Sequence, residues 1–105
     1  ESDSGGFTPR GFSVGMNAEK AQSMKSWEKL FYPYGIYEFT GNHGGADITP
    51  LRELNVPVSN FSTDSQRYFD IHHTPEDTFE KVNRRELLLG ATVMTQLIYM
   101  IDQNW

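Results

Sequence analysis

The run Tyr68-Phe69-Asp70-Ile71-His72-His73-Thr74-Pro75-Glu76-Asp77-Thr78 sets two of the chain's three histidines side by side, among three carboxylates and two aromatics. Imidazole and carboxylate are ligand types for zinc and similar divalent metals. Adjacent imidazoles repel once protonated, so their pairing asks for a reason, and metal or catalytic chemistry is one. Pro75 opposes an ordinary helix at this point and biases Thr74 toward extended backbone. The run is therefore expected as a shaped loop on a rigid scaffold, where sites commonly sit. A second cluster, Glu1-Ser2-Asp3-Ser4-Gly5-Gly6, could face it, and so could Thr40-Gly41-Asn42-His43-Gly44-Gly45-Ala46-Asp47. The candidate set is Asp3, His43, Asp47, His72, His73 and Asp77. Spacing alone does not decide among roles, because the chain has no His-x-x-x-His helix and no compact metal loop. Plainer readings stand beside the chemical ones. Asp47 can cap a helix starting near Ile48, Asp77-Thr78 can end its loop, and His43 can be a surface histidine among glycines.

Positioning these loops requires regular elements. Phe12-Ser13-Val14 alternates as a short strand or extended link. Asn17 is a good N-cap, and Ala21, Met24, Trp27 and Phe31 recur at helical spacing until Pro33 ends the helix. That stripe reads as core. Gly35 to Phe39 is aromatic and β-branched enough for a strand. Ile48 to Leu54 reads as a short helix with Pro50 in its first turn, where proline is tolerated. Val56 to Phe61 reads as a strand with Pro57 near its beginning or at an edge. Asn83 with Glu86 three residues on predicts a capping box for the longest helix. From Leu87 to Ile101 that helix is apolar on two faces. Leu87, Ala91, Met94, Ile98 and Ile101 form one stripe, and Leu89, Val93, Leu97 and Met100 the other. It is packed on both sides, or one face awaits a further partner. The alternation of strands and helices predicts an α/β layered architecture.

A chain of 105 residues fits one small domain, and its 37% hydrophobic and 13% aromatic content suffices for a core. A net charge of -5 with no basic run argues against a nucleic-acid partner. No apolar run approaches the ~20 residues of a membrane span. Without cysteine, disulfides and thiolate zinc sites are excluded. Asn60-Phe61-Ser62 matches the glycosylation sequon, a match common by chance. The first residues already carry site chemistry, which predicts a piece of a longer polypeptide.

Three motifs together carry a resemblance: Glu1-Ser2-Asp3-Ser4-Gly5, Gly44-Gly45-Ala46-Asp47-Ile48, and the Tyr68 to Thr78 run. They resemble, in order along essentially the whole chain, the C-terminal part of the co-catalytic di-zinc exopeptidases, in the branch of aminopeptidase Y and plasma glutamate carboxypeptidase (carboxypeptidase Q). The resemblance implies a mixed β-sheet sandwiched between helices and two zinc ions sharing a bridging carboxylate and water. It implies Asp3 as a ligand of one zinc and His73 as a ligand of the other. It gives His72 an electrophilic or substrate-orienting catalytic role and Asp77 the task of orienting a ligand imidazole. His43 and Asp47 would lie beside the ligands or the substrate pocket. Ala46 stands where relatives hold a polar residue that grips a substrate carboxylate, which disfavours acidic dipeptides. The implied parent is a zinc-dependent exopeptidase, an aminopeptidase or a dipeptidase or carboxypeptidase, acting on short peptides and exported to the periplasm or secreted. Residues 1–105 would be the C-terminal portion of its single catalytic domain. The remaining ligands and the general base would lie upstream, so this chain alone is expected to be inactive and to hold no zinc tightly. Two other readings are a degenerate, non-enzymatic interaction module of the same fold, and a single-zinc acyltransferase like glutaminyl cyclase.

Overall fold

A computed structural model describes residues 1–105. The expected α/β class is borne out: a three-stranded mixed sheet carries five helices. Strand β1 (Pro9–Phe12) lies in the middle. It pairs parallel with β2 (Glu38–Phe39), in the register Gly11 with Glu38 and Phe12 with Phe39. On its other edge it pairs antiparallel with β3 (Phe61–Thr63), Phe12 facing Phe61. Gly11 is required by this close approach, since a Cβ there would lie 2.4 Å from the Glu38 carbonyl oxygen.

Helix α1 (Ala18–Ser26) begins where Asn17 Oδ1 accepts from the Lys20 amide at 2.9 Å. The expected single helix to Pro33 is instead broken. At Trp27 the amide bonds back to Met24 O, three residues away, and the chain restarts as α2 (Glu28–Phe31) and a 3-10 turn (Tyr32–Tyr34). The break lets Met24, Trp27 and Phe31 all reach the core. Helix α3 (Thr49–Glu53) carries Pro50 in its first turn, as expected.

The expected strand over Val56 to Phe61 lies later. Val58 makes only an isolated bridge to Gly15, and regular pairing starts at Phe61. Pro57 lacks the amide that a continuous ladder needs. Between the two, Ser13 closes the gap. Its hydroxyl donates to His43 O (2.6 Å) and accepts from the Asn60 amide (2.7 Å), while its carbonyl accepts from Ser59 Oγ (2.8 Å). Buried to 1% exposure, this serine knits the end of β1 to both flanking loops.

Four phenylalanines fill the centre. The Phe12 ring lies 5.9 Å from Phe31, 5.8 Å from Phe39 and 5.4 Å from Phe61. Helix α5 (Arg84–Asn104) seals this cluster with Val93 and Leu97, and Gly90 sits against the Phe61 ring. Its other stripe is packed only in part: Met94 and Ile101 lie against the cluster, while Leu87 and Ile98 are about half exposed or more. No helix is long and apolar enough to cross a membrane.

Arg10 on β1 pairs with Asp64 just past β3. The Gln66 backbone N–H and then the Arg10 guanidinium hold the Asp64 carboxyl below its ordinary value near 3.8. A depressed carboxyl adds stability above its unfolded value, and that contribution is lost as pH falls through the folded one. Asp64→Asn is therefore expected to lower stability slightly at neutral pH, where the ionised carboxyl contributes, and to converge on wild type below about pH 4, which flattens the acid limb. Denaturant melts stepped from neutral to acid pH check this; an unchanged acid limb would refute it.

Candidate functional site

The expected histidine loop opens with one helical turn, α4 (Tyr68–Ile71), ended when the His72 amide bonds to Tyr68 O at 2.8 Å. Beyond it Thr74 shapes the loop. Its hydroxyl donates to Ile71 O (2.7 Å) and accepts from the Glu76 amide (3.2 Å), and its carbonyl accepts from the Asp77 amide (3.1 Å). This folding forces His73 to φ +57, the left-handed region that disfavours any side chain. The rings stack in a column: Tyr68 on His72 at 4.4 Å, His72 on His73 at 3.7 Å. The Tyr68 hydroxyl stands 3.4 Å from His72 Nε2, at the long limit of a hydrogen bond.

Residues 1–4 lie alongside this loop because β3 and its approach hold them there. The Glu1 amine donates to Ser59 O (2.8 Å), the Phe61 amide donates to Glu1 O (2.8 Å), and Thr63 Oγ1 donates to Ser4 O (2.8 Å). Asp3, His72, His73 and Asp77 thereby line one cavity of about 380 Å³, with Phe7, Tyr68 and Ile71 as its apolar lining. Three of these four are exposed, and His72 is half-buried.

His43 and Asp47 do not join that cavity. The His43 ring packs over Gly41, with Nδ1 3.0 Å from Gly44 O. Asp47 does not cap α3 with its side chain, contrary to expectation; the Glu1 carboxylate reaches the same end of the helix. Glu1 Oε2 accepts from the Ile48 amide (3.2 Å), and Oε1 lies 3.5 Å from the Asp47 amide. That carboxylate occupies the space a Cβ on Gly45 would need, with Cδ only 2.1 Å away. Gly45→Ala is expected to expel it and cost about 1.5–3 kcal/mol, the value of a lost hydrogen bond to a charged group. Thermal melting checks this, and an unchanged midpoint would show that the contact contributes nothing in solution.

Glu86 is a second residue whose role the sequence concealed. Asn83 Oδ1 does cap α5, accepting from the Arg85 and Glu86 amides. The reciprocal half of the capping box is absent, because Glu86 Oε1 is taken by Thr8 Oγ1 (2.5 Å) and Arg67 (2.6 Å). A half-buried carboxylate on α5 thus ties the loop after Asp3 to the start of α4, fixing two walls of the cavity together. Its Oε2 is buried without a partner.

The donors that line the cavity, two carboxylates and two imidazoles, fit zinc in kind. They do not fit in number: nowhere do three or more His, Asp or Glu groups converge as a metal centre requires.

Comparison with known proteins found carboxypeptidase Q of mouse, 28% identical over 102 residues, and human carboxypeptidase Q at the same identity over the same length. Carboxypeptidase Q of Xenopus laevis is 29% identical over 101 residues. Each match covers 96% of this chain, which spans about a fifth of the length of these relatives (22%, 21% and 22%). No family model and no solved structure matches. Along nearly its whole length, then, the chain is similar to proteins named carboxypeptidase Q, the branch that its two glycine loops and its His-His-Thr-Pro-Glu-Asp-Thr run resemble.

Proposed function

We propose that the chain is the C-terminal portion of the catalytic domain of a zinc-dependent exopeptidase, and that it contributes one ligand to each of two metals. The observation that carries this reading is His73. The Thr74 hydrogen bonds set a turn that puts residue 73 at φ +57 on the rim of a polar cavity, and an imidazole kept there in place of glycine supports a functional role. Glycine would fit that turn with less strain.

Asp3 and His73 would hold zinc together with donors from outside these 105 residues. The chemistry that a zinc pair would supply there is an activated water and a Lewis acid for the scissile carbonyl. The chain's own residues do the rest of the positioning. Asp77, which lines the same cavity, would orient the His73 imidazole by hydrogen bonding, as carboxylates commonly do for ligand histidines. His72, held between two rings, presents an N–H to the oxygen of a substrate carbonyl. Short peptides are the proposed substrates, consistent with relatives that are carboxypeptidases by name.

The test is peptide hydrolysis by the longer polypeptide encoded around this chain, with zinc supplied and with His73 and Asp3 replaced in turn. Turnover that depends on both residues is expected. Equal turnover in the variants, or full zinc loading by the 105-residue chain alone, would overturn the reading. A non-enzymatic module of the same fold would instead show no turnover in any form.

A further inference from the structure

A second cavity, of about 320 Å³, lies apart from the histidine loop and shares no lining residue with the cavity there. Three stretches of chain wall it: the start of α1 with the residues before it, the glycine loop at Asn42, and the end of α3 with the turn beyond. Two cations, Lys20 and Arg52, and three asparagines, Asn17, Asn42 and Asn55, line it, and no carboxylate does. The chain carries 14 carboxylates against 9 lysines and arginines, so this cavity locally inverts its charge.

The walls are held by the backbone. Asn55 ends α3 in a left-handed turn at φ +58, its amide donating to Arg52 O (2.9 Å) and the Val56 amide to Leu51 O (3.1 Å). Asparagine tolerates that conformation better than most residues. On the α1 side, Gly15 is bridged to Val58, whose amide donates to Gly15 O at 3.0 Å. The cations are uncommitted. The three ion pairs of the chain use Arg10, Arg67 and Lys81. Arg52 gives one N–H to Asn42 Oδ1 (3.2 Å), an uncharged acceptor that steadies the guanidinium without neutralising it. With its oxygen so engaged, Asn42 has its NH2 left to donate. The half-buried Lys20 rests its ammonium over the Trp105 ring at 4.2 Å, an attraction that uses none of its N–H bonds.

We propose that this cavity is an anion site that takes a phosphate group, free or carried as a phosphomonoester. A planar guanidinium fork and a compact ammonium on separate walls suit the several oxygens of a phosphate dianion. A monocarboxylate would satisfy one cation and leave the other. Asparagine NH2 groups supply neutral donors for the remaining oxygens. Met16 and Val56 line the same cavity and offer an apolar surface to the organic part of an ester. The site stands apart from the zinc reading and does not depend on it.

Amide-resolved NMR titration of the 105-residue chain, at slightly alkaline pH and constant ionic strength, tests this with inorganic phosphate, phenyl phosphate and benzoate. Saturable shifts are expected for the phosphates at residues 15–20, 42 and 52–57, with the amides of Asp3, His72 and His73 unmoved. Lys20→Gln and Arg52→Gln are each expected to weaken binding about tenfold or more, the value of one lost hydrogen bond between charged groups. Lys25→Gln removes the same charge from an exposed position on α1 outside the cavity, and is expected to change binding about twofold or less. Asn42→Asp keeps the side-chain shape, sets a carboxylate on Arg52 and is expected to abolish binding; circular dichroism checks that the variants stay folded. Tighter binding of phenyl phosphate supports an ester as the ligand, and equal or weaker binding supports free phosphate. Three results overturn the proposal: benzoate binding as tightly as phenyl phosphate, shifts that never saturate or that fall at the histidine loop, and wild-type binding in Lys20→Gln and Arg52→Gln. A loss in Lys25→Gln equal to that in Lys20→Gln overturns it as well, since general charge would then explain the binding.

Discussion

Replacing Phe12 with alanine is expected to leave the chain largely unfolded at 25 °C. Phe12 is 3% exposed on the central strand, and its ring touches those of Phe31, Phe39 and Phe61. Truncating a buried phenylalanine costs about 3–5 kcal/mol through lost transfer energy and an unfilled cavity. Each lost aromatic pair adds about 0.5–1.5 kcal/mol beyond area. Collapse cannot refill the space, because β1 is hydrogen-bonded on both edges and α5 lies across the cluster. Only 17 of the 105 residues are buried, so stability should sit at the low end of the usual 5–15 kcal/mol. The loss then consumes most of it. Phe12→Leu, which keeps much of the volume, is expected to remain folded with a lower midpoint. Urea melts followed by circular dichroism check both; a cooperative transition for Phe12→Ala with a wild-type midpoint would show that the cluster is not the centre of stability.

The features legible in the sequence were those set by neighbours along the chain. Asn17 and Asn83 cap their helices because a cap needs only the next three amides. Pro50 marked the start of α3 for the same local reason. Features set by distant partners were misread. Glu86 carries the spacing of a capping box, yet Thr8 and Arg67 hold its carboxylate more strongly than the Asn83 amide could. Val56 to Phe61 has strand composition, but the register is dictated by β1, which reaches regular pairing only from Phe61 onward. The α5 stripes were both visible, and only packing could show which of them faces Phe61.

The site divides along the same line. Asp3 and the His72-His73 pair were legible as chemistry, and the structure sets them around one cavity. His43 and Asp47 share the residue types but not the place, since Ser13 and Glu1 anchor their loop away from it. Nothing in the sequence distinguishes Glu1 from any exposed glutamate; its contact with the Asp47 and Ile48 amides exists only once residues 1–4 lie along β3. Likewise the left-handed backbone of His73 follows from the Thr74 hydrogen bonds, a three-dimensional consequence of Pro75 and Thr74 together.

That strained position separates a functional histidine from a structural one. His73→Gly removes the imidazole and relieves a conformation that costs a side chain about 1–2 kcal/mol, offset by the greater entropy glycine loses on folding, about 0.5–1 kcal/mol. Stability of the 105-residue chain is therefore expected to hold or to rise, its melting midpoint moving up by no more than several degrees. His73→Ala keeps the strain and should melt at or slightly below wild type. In the longer polypeptide both variants are expected to lose peptide hydrolysis by at least a hundredfold, since even an outer partner of a metal ligand is worth about 10–100-fold. Asp3→Ala should match them in activity with little change in stability, being exposed and free of internal bonds. The decisive pattern is opposite signs at one residue, stability kept or gained with activity lost. If His73→Gly melts well below wild type, the ring is holding the loop through its stack on His72, and the ligand role has no remaining support from the backbone. If it melts as expected and still hydrolyses peptides normally, zinc is held without it and the assignment of His73 fails.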